Sequence, residues 1–134
     1  MTGKPLKMHL EHAFDNEHWR RAGYVQENLR ARAEVTLWTK EYWMDKFSSL
    51  PEMPFDIERI YFDKRGEYTT AGRHLQMITL TVGHNVTIRS KTNPELCASI
   101  ERLQCAAVPA YFGDYEMISE DGCFCTCVIF YMKK

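Results

Sequence analysis

Several groups of residues carry side chains able to do chemistry. Cys123, Cys125 and Cys127 alternate through Cys123-Phe124-Cys125-Thr126-Cys127. Thiolates are nucleophiles and zinc ligands, but alternate residues of a regular strand share a face and stand about 6.8 Å apart. Zinc draws its donors in to bonds of about 2.3 Å, so three sulfurs on one strand cannot hold one ion without a bend at Gly122. Buried thiols acting as small hydrophobes are the favoured reading. His9, His12 and His18 lie among Glu11, Asp15 and Glu17. Their spacing fits no metal signature, and an extended segment would send His9 and His12 to opposite faces. No metal site follows.

His74 and His84 bracket the run Leu75 to Val82. Along an extended strand they stand roughly 30 Å apart, too far to act as an acid/base pair. If the chain is an enzyme, His74 with Tyr68 and Glu67 is the first set to suspect. A turn histidine is the plain reading of His84. Arg20, Arg21, Arg30 and Arg32, with Tyr24 between them, could line a phosphate backbone. Arg20 and Arg21, together with Lys64-Arg65, form the nucleic-acid alternative. Against it, Glu17, Glu27 and Glu34 sit at salt-bridging spacings, as on a solvated helix face. There is no Gly-rich phosphate loop, nucleophile elbow or zinc-finger spacing, and no cofactor is expected.

Three Trp, seven Tyr and seven Phe exceed what a core of this size needs. Some must stand at the surface, where aromatic side chains anchor interfaces. Tyr111, Phe112 and Tyr115 lie beside Asp114, Glu116, Glu120 and Asp121, in a stretch with no basic residue between Arg102 and Lys133. These seven are the expected partner-binding residues: aromatic anchors, with acidic groups steering a basic partner.

The elements that must position these groups can be read from period. Leu75 to Val82 puts Gln76, Ile78, Leu80 and Val82 on one face. With Ile57–Phe62, a run from Glu67 and Val86–Ile88, it suggests a four-stranded meander turning at Asp63–Gly66 and Gly83–Asn85. Leu6, Met8 and Leu10 alternate as a strand would. Trp19, Ala22, Val25, Leu29 and Ala33 recur at helical spacing over 17–33, and Trp43, Phe47 and Leu50 do so over 40–50. Val35 to Thr39 suits strand or helix. Asn93-Pro94-Glu95 is a helix-start signal, followed by Leu96, Ile100, Leu103 and Ala107 up to Pro109. Tyr115–Ser119 and Cys123–Met132 read as a closing hairpin whose last strand is apolar on both faces. The order predicts a single α+β domain over 1–134: a two-layer sandwich of mostly antiparallel sheet with helices on one face. From Val86 to Met132 the strand–helix–strand spacing is similar to half a ferredoxin-like fold, a likeness of architecture that implies no function.

The totals agree with a globular domain. The chain has 134 residues, 45% hydrophobic, with 18 acidic and 17 basic groups. That near balance argues against a protein whose main task is coating nucleic acid, while leaving room for a local basic patch. No run reaches the ~18 apolar residues of a membrane span, and Met1 to His12 holds no signal-like apolar core. Five cysteines in no framework spacing suggest reduced thiols in a cytoplasmic setting. The resulting expectation is a small cytoplasmic module that binds a protein partner, as an inhibitor or decoy, with a homodimer through edge strands open to it. The alternatives are a small-ligand binder or enzyme, with a pocket between sheet and helix or at an oligomer interface, and nucleic-acid binding through the 17–33 helix.

Overall fold

The computed structural model describes residues 22–24, 31–47, 49–72 and 75–133. The chain divides into two compact units, residues 1–30 and 31–134. The strand expected over 6–10, most of the 17–33 helix, and Arg20, Arg21, His9, His12, His18 and His74 lie outside the described residues.

The second unit is built from strands that alternate between two sheets. In chain order they are β1 (Ala33–Trp38), β2 (Tyr42–Phe47), β3 (Phe55–Phe62), β4 (Arg65–Tyr68), β5 (Leu75–Val82), β6 (Asn85–Ser90), β7 (Cys97–Glu101), β8 (Cys105–Pro109), β9 (Tyr115–Ser119) and β10 (Cys125–Met132). One sheet has the order β1-β2-β3-β10-β5-β8 and the other β4-β9-β6-β7, with every pairing antiparallel. A single 3-10 turn, Ala110–Phe112, leads into β9.

Period two decides what each strand buries. On β3 the buried positions are Asp56, Glu58, Ile60 and Phe62, and on β5 they are Gln76, Ile78 and Leu80. Strands β9 and β10 supply Tyr115, Met117, Ser119 and Cys125, Cys127, Ile129, Tyr131. These rows meet between the sheets in one cluster with Val86, Ile88, Ile100 and Val108. The approach is tight at Gly66, where an added Cβ would stand 2.8 Å from Ile60 Cδ1 and 3.0 Å from Phe62 Cδ1. The sequence placed Gly66 at the end of a turn; it is instead a strand residue with no room for a side chain.

The expected α+β sandwich is corrected, ferredoxin-like element included, because both layers are sheets. The helix over 40–50 is β2, hydrogen-bonded to β1 and β3. The Asn93 signal is real but local. Asn93 Oδ1 accepts from the Glu95 amide at 3.2 Å and Asn93 O from the Leu96 amide at 2.9 Å. Beyond that one turn, Cys97–Glu101 pairs with β6 and the chain reverses through Leu103, held at φ 66°. Leu103, placed on the buried face of the expected helix, is 73% exposed. The meander and closing hairpin are corrected too: β3 and β4, β5 and β6, and β9 and β10 each belong to different sheets. The last strand does occupy the middle of the larger sheet, between β3 and β5. Val35 to Thr39 resolves as strand up to Trp38.

Candidate functional site

The inner faces of the sheets change character along the strands. Around Ile60, Phe62, Ile78, Leu80, Ile88, Met117 and Cys127 the lining is apolar. Toward the start of β3 and β5 and the end of β10 it turns polar. In register across the larger sheet, Tyr131 lies beside Asp56 on one side and Gln76 on the other. Glu58 follows one inner position along, beside Lys46 of β2. The smaller sheet answers with Tyr68 of β4 directly opposite Tyr115 of β9, their rings stacked at 5.1 Å.

Hydrogen bonds tie the two sheets together at this end. Tyr68 donates to Glu58 Oε2 at 2.6 Å and Tyr131 to Glu58 Oε1 at 2.9 Å, both buried. Tyr115 donates to Gln76 Oε1 at 2.7 Å. A carboxylate taken from water is costly unless its oxygens are met, and the two phenols meet one oxygen each. Lys46 Nζ stands 2.8 Å from Asp56 Oδ2, and Ser49 donates to Oδ1 from both its amide and hydroxyl. Burial opposes ionisation of Asp56, but the hydrogen bonds from Lys46 and Ser49 outweigh it and hold the pKa at about 2. The same bond to Asp56 raises Lys46 against the pull of its own burial. The result is a buried acid, an ion pair, three phenols and an amide converging from six strands.

Of the expected enzyme set, Tyr68 is part of this cluster. Glu67 is its chain neighbour and so faces outward, where Lys91 at 2.5 Å and Arg65 at 2.9 Å hold its pKa down. His74 lies outside the described residues. Glu58, Asp56, Gln76 and Tyr131 were missed. Their signal was the phase of β3 and β5, in which acids and an amide share a face with Ile60, Phe62 and Ile78.

The expected partner-binding residues do not form one surface. Tyr111 is 78% exposed, but Phe112 and Tyr115 are buried and cannot serve as surface anchors. Asp114 Oδ1 accepts from the Thr70 amide at 2.8 Å and hydroxyl at 3.0 Å, fastening the loop after β4. Glu116 is paired with Arg65 at 2.7 Å and Arg89 at 3.7 Å. Glu120 accepts from Thr87, and Asp121 from Ser119 and Cys123. In the nucleic-acid alternative, Arg65 is committed to Glu67 and Glu116. Lys64 lines a depression of about 400 Å³ whose other walls are Lys40, Glu41, Asp63 and Arg65, so its charges alternate in sign.

The cysteines divide. Cys125 and Cys127 are buried on β10, and burial pushes the Cys127 thiol up to about 12. Cys123 is exposed, ahead of the strand and after a bend at Gly122, φ 66°. Its thiol is raised by its hydrogen bond to the Asp121 carboxylate. No helix among the described residues is long and apolar enough to cross a membrane.

No family model matches the chain, and no curated protein matches it. Solved structures do. A cupin 2 conserved barrel domain protein from Rhodopseudomonas palustris superposes with a TM-score of 0.56 at 10% identity, over 78% of this chain and 72% of that one. Rru_A2000 from Rhodospirillum rubrum, a cupin-2 domain, gives 0.57 at 6% identity, over 88% and 75%. Mannose 6-phosphate isomerase from Bacillus subtilis gives 0.57 at 9% identity, over 77% of this chain and 29% of that one. The likeness establishes a cupin-like arrangement of two antiparallel sheets. It overturns the expected inhibitor or decoy together with its α+β frame, and the burial of Phe112 and Tyr115 removes the anchors on which that reading stood.

Proposed function

We propose that the 31–134 unit is a small-ligand-binding domain whose recognition site is the polar end of the space between its two sheets. The pocket of the earlier alternative thus moves from between sheet and helix to between sheet and sheet. One observation carries the reading: Glu58, buried among apolar strands, is held by phenols reaching it from opposite sheets, with the Gln76–Tyr115 pair beside it. A core needing only stability is served as well by apolar residues; a few convergent polar groups on an apolar lining are the usual composition of a small-molecule site.

The site suits a small polar organic molecule. Glu58 and Gln76 offer acceptors, Lys46 and the tyrosines offer donors, and Ile78 and Ile129 offer an apolar wall. The reading is recognition more than turnover, since both Glu58 oxygens already accept bonds that fix the carboxylate in place. Similarly folded proteins, an isomerase and a cupin_2 domain of a transcriptional regulator among them, fit a fold that serves several tasks. The five free thiols suit a cytoplasmic setting.

The test is a thermal-shift panel of small carboxylates, sugars, amines and phosphates, alongside native mass spectrometry of gently purified protein. At least one class raises the melting temperature of the wild type, and Glu58→Gln and Tyr131→Phe blunt that response while remaining folded. A wild type indifferent to every class, or variants responding as the wild type does, would overturn the reading.

A further inference from the structure

At the far end of β10 from Glu58, two turns bring together residues that no spacing in the sequence relates. His84 sits between β5 and β6, Asp121 and Cys123 between β9 and β10. One donor atom from each, a ring nitrogen, a carboxylate oxygen and the sulfur, lies within 4.8 Å of the other two. Six residues separate Cys125 from Tyr131, so this group stands roughly 20 Å along the strand from the polar end of the interior.

We propose that His84, Asp121 and Cys123 form a binding site for a divalent transition-metal ion of the zinc class. The donor set is the first support. A thiolate, an imidazole and a carboxylate are the three ligand types that zinc and its neighbours take, and together they neutralise most of a dication's charge. The second support is that the carboxylate is already oriented. Asp121 Oδ1 accepts from the Ser119 hydroxyl at 3.0 Å and from the Cys123 amide at 3.0 Å, which leaves Oδ2 directed at His84 Nδ1, 2.6 Å away. Hydrogen bonds of this kind, made by the ligand's other oxygen, are what hold metal-binding carboxylates in position. The third is the backbone. Gly122 at φ 66° turns Cys123 off the line of β10, the bend without which the cysteines could not converge on an ion with other ligands.

The motion required is small. Zinc bonds of about 2.0–2.3 Å place donors about 3.5 Å apart, so the His84–Asp121 contact must open by about 1 Å. The His84 side chain is 79% exposed, and rotation about its own bonds supplies that. On binding, the thiol gives its proton to solvent, His84 offers the ring nitrogen that carries no proton, and the fourth position is left to water. A nucleophilic cysteine is the rival use of the same residues. A nucleophile needs a base at its sulfur, whereas the His84 ring nitrogen is engaged by Asp121 Oδ2 at 2.6 Å.

Cobalt is the probe, with tag-free protein kept reduced by a phosphine. One equivalent of Co²⁺ gives a thiolate-to-metal charge-transfer band with tetrahedral d–d bands, and Zn²⁺ displaces them. Cys123→Ser abolishes the charge-transfer band, and His84→Ala and Asp121→Asn each weaken binding roughly tenfold or more. A triple replacement of His9, His12 and His18 leaves the spectrum intact. Absence of the band, its persistence in Cys123→Ser, its loss in the triple variant, or His84→Ala binding as the wild type does would each overturn the site. All three ligands are exposed, so far-UV circular dichroism of the variants matches the wild type and separates loss of metal from loss of fold.

Discussion

Asp56 and Glu58 are adjacent inward positions of one strand, yet they are held by different means. Glu58 is met by neutral phenols, whereas Asp56 is met by a cation and a serine. The second arrangement writes itself into the acid stability of the protein. The Asp56 pKa falls from 3.8 to about 2 on folding. A depressed folded-state value means stability that is whole above the unfolded pKa and is lost as pH falls through the folded one. Converted at 1.36 kcal/mol per unit, the contacts from Lys46 and Ser49, net of the cost of burial, contribute on the order of 2 kcal/mol at neutral pH. Urea unfolding of the wild type therefore weakens between pH 4 and pH 2, and Asp56→Asn flattens that part of the profile. A variant profile parallel to the wild type's over this window would show that other carboxylates govern acid unfolding. The outer face of the same sheet carries a comparable pair, Arg59 bound at both nitrogens to Asp45 and lying over Phe47 at 4.3 Å.

Among the elements, Gly66 ties β4 to β3. With Ile60 Cδ1 2.8 Å from where a Cβ would stand, the smaller sheet rests on the larger at this point with no room for a methyl. Gly66→Ala forces either the Ile60 side chain or the strand to shift, at a cost of about 1–3 kcal/mol. Denaturant midpoints measure this, and the paired change Gly66→Ala with Ile60→Val recovers part of the loss if the clash is its source. The elements also explain what the sequence could and could not convey. Leu75–Val82 and Tyr115–Ser119 were legible because strict alternation over five or more residues suits only a strand. Trp43 with Phe47, and Leu96 with Ile100, misled because a spacing of four is even: it repeats on one face of a strand as well as on one face of a helix. Nothing local decides between them; for Cys97–Glu101 the ladder to β6 does. The site was half legible for a similar reason. Tyr68 could be suspected by type, but its partner Glu58 belongs to another sheet. The His84–Asp121 contact spans 37 residues of chain, beyond the reach of any spacing rule.

For the molecule as a whole, the question is which part of the chain makes the core. Among the described residues, the hydrophobic cluster runs from Met44 to Tyr131 and the ten strands begin at or after Ala33. The boundary between the two compact units comes just before, at residues 30 and 31. Residues 31–134 form a compact unit in themselves, with the described cluster inside it, so burial of the unit's own side chains supplies stabilisation for its fold. The fragment 31–134, expressed alone, accordingly gives a β-type circular dichroism spectrum, dispersed amide resonances and cooperative unfolding. It also keeps the Cys123-dependent cobalt band, because all three ligands lie within it. A fragment that is soluble but lacks cooperative unfolding would mean that residues 1–30 complete the core, and would make the two units one folding entity. Retained folding with loss of the ligand response proposed for the Glu58 end would instead assign residues 1–30 a part in that site, while leaving the barrel's autonomy intact.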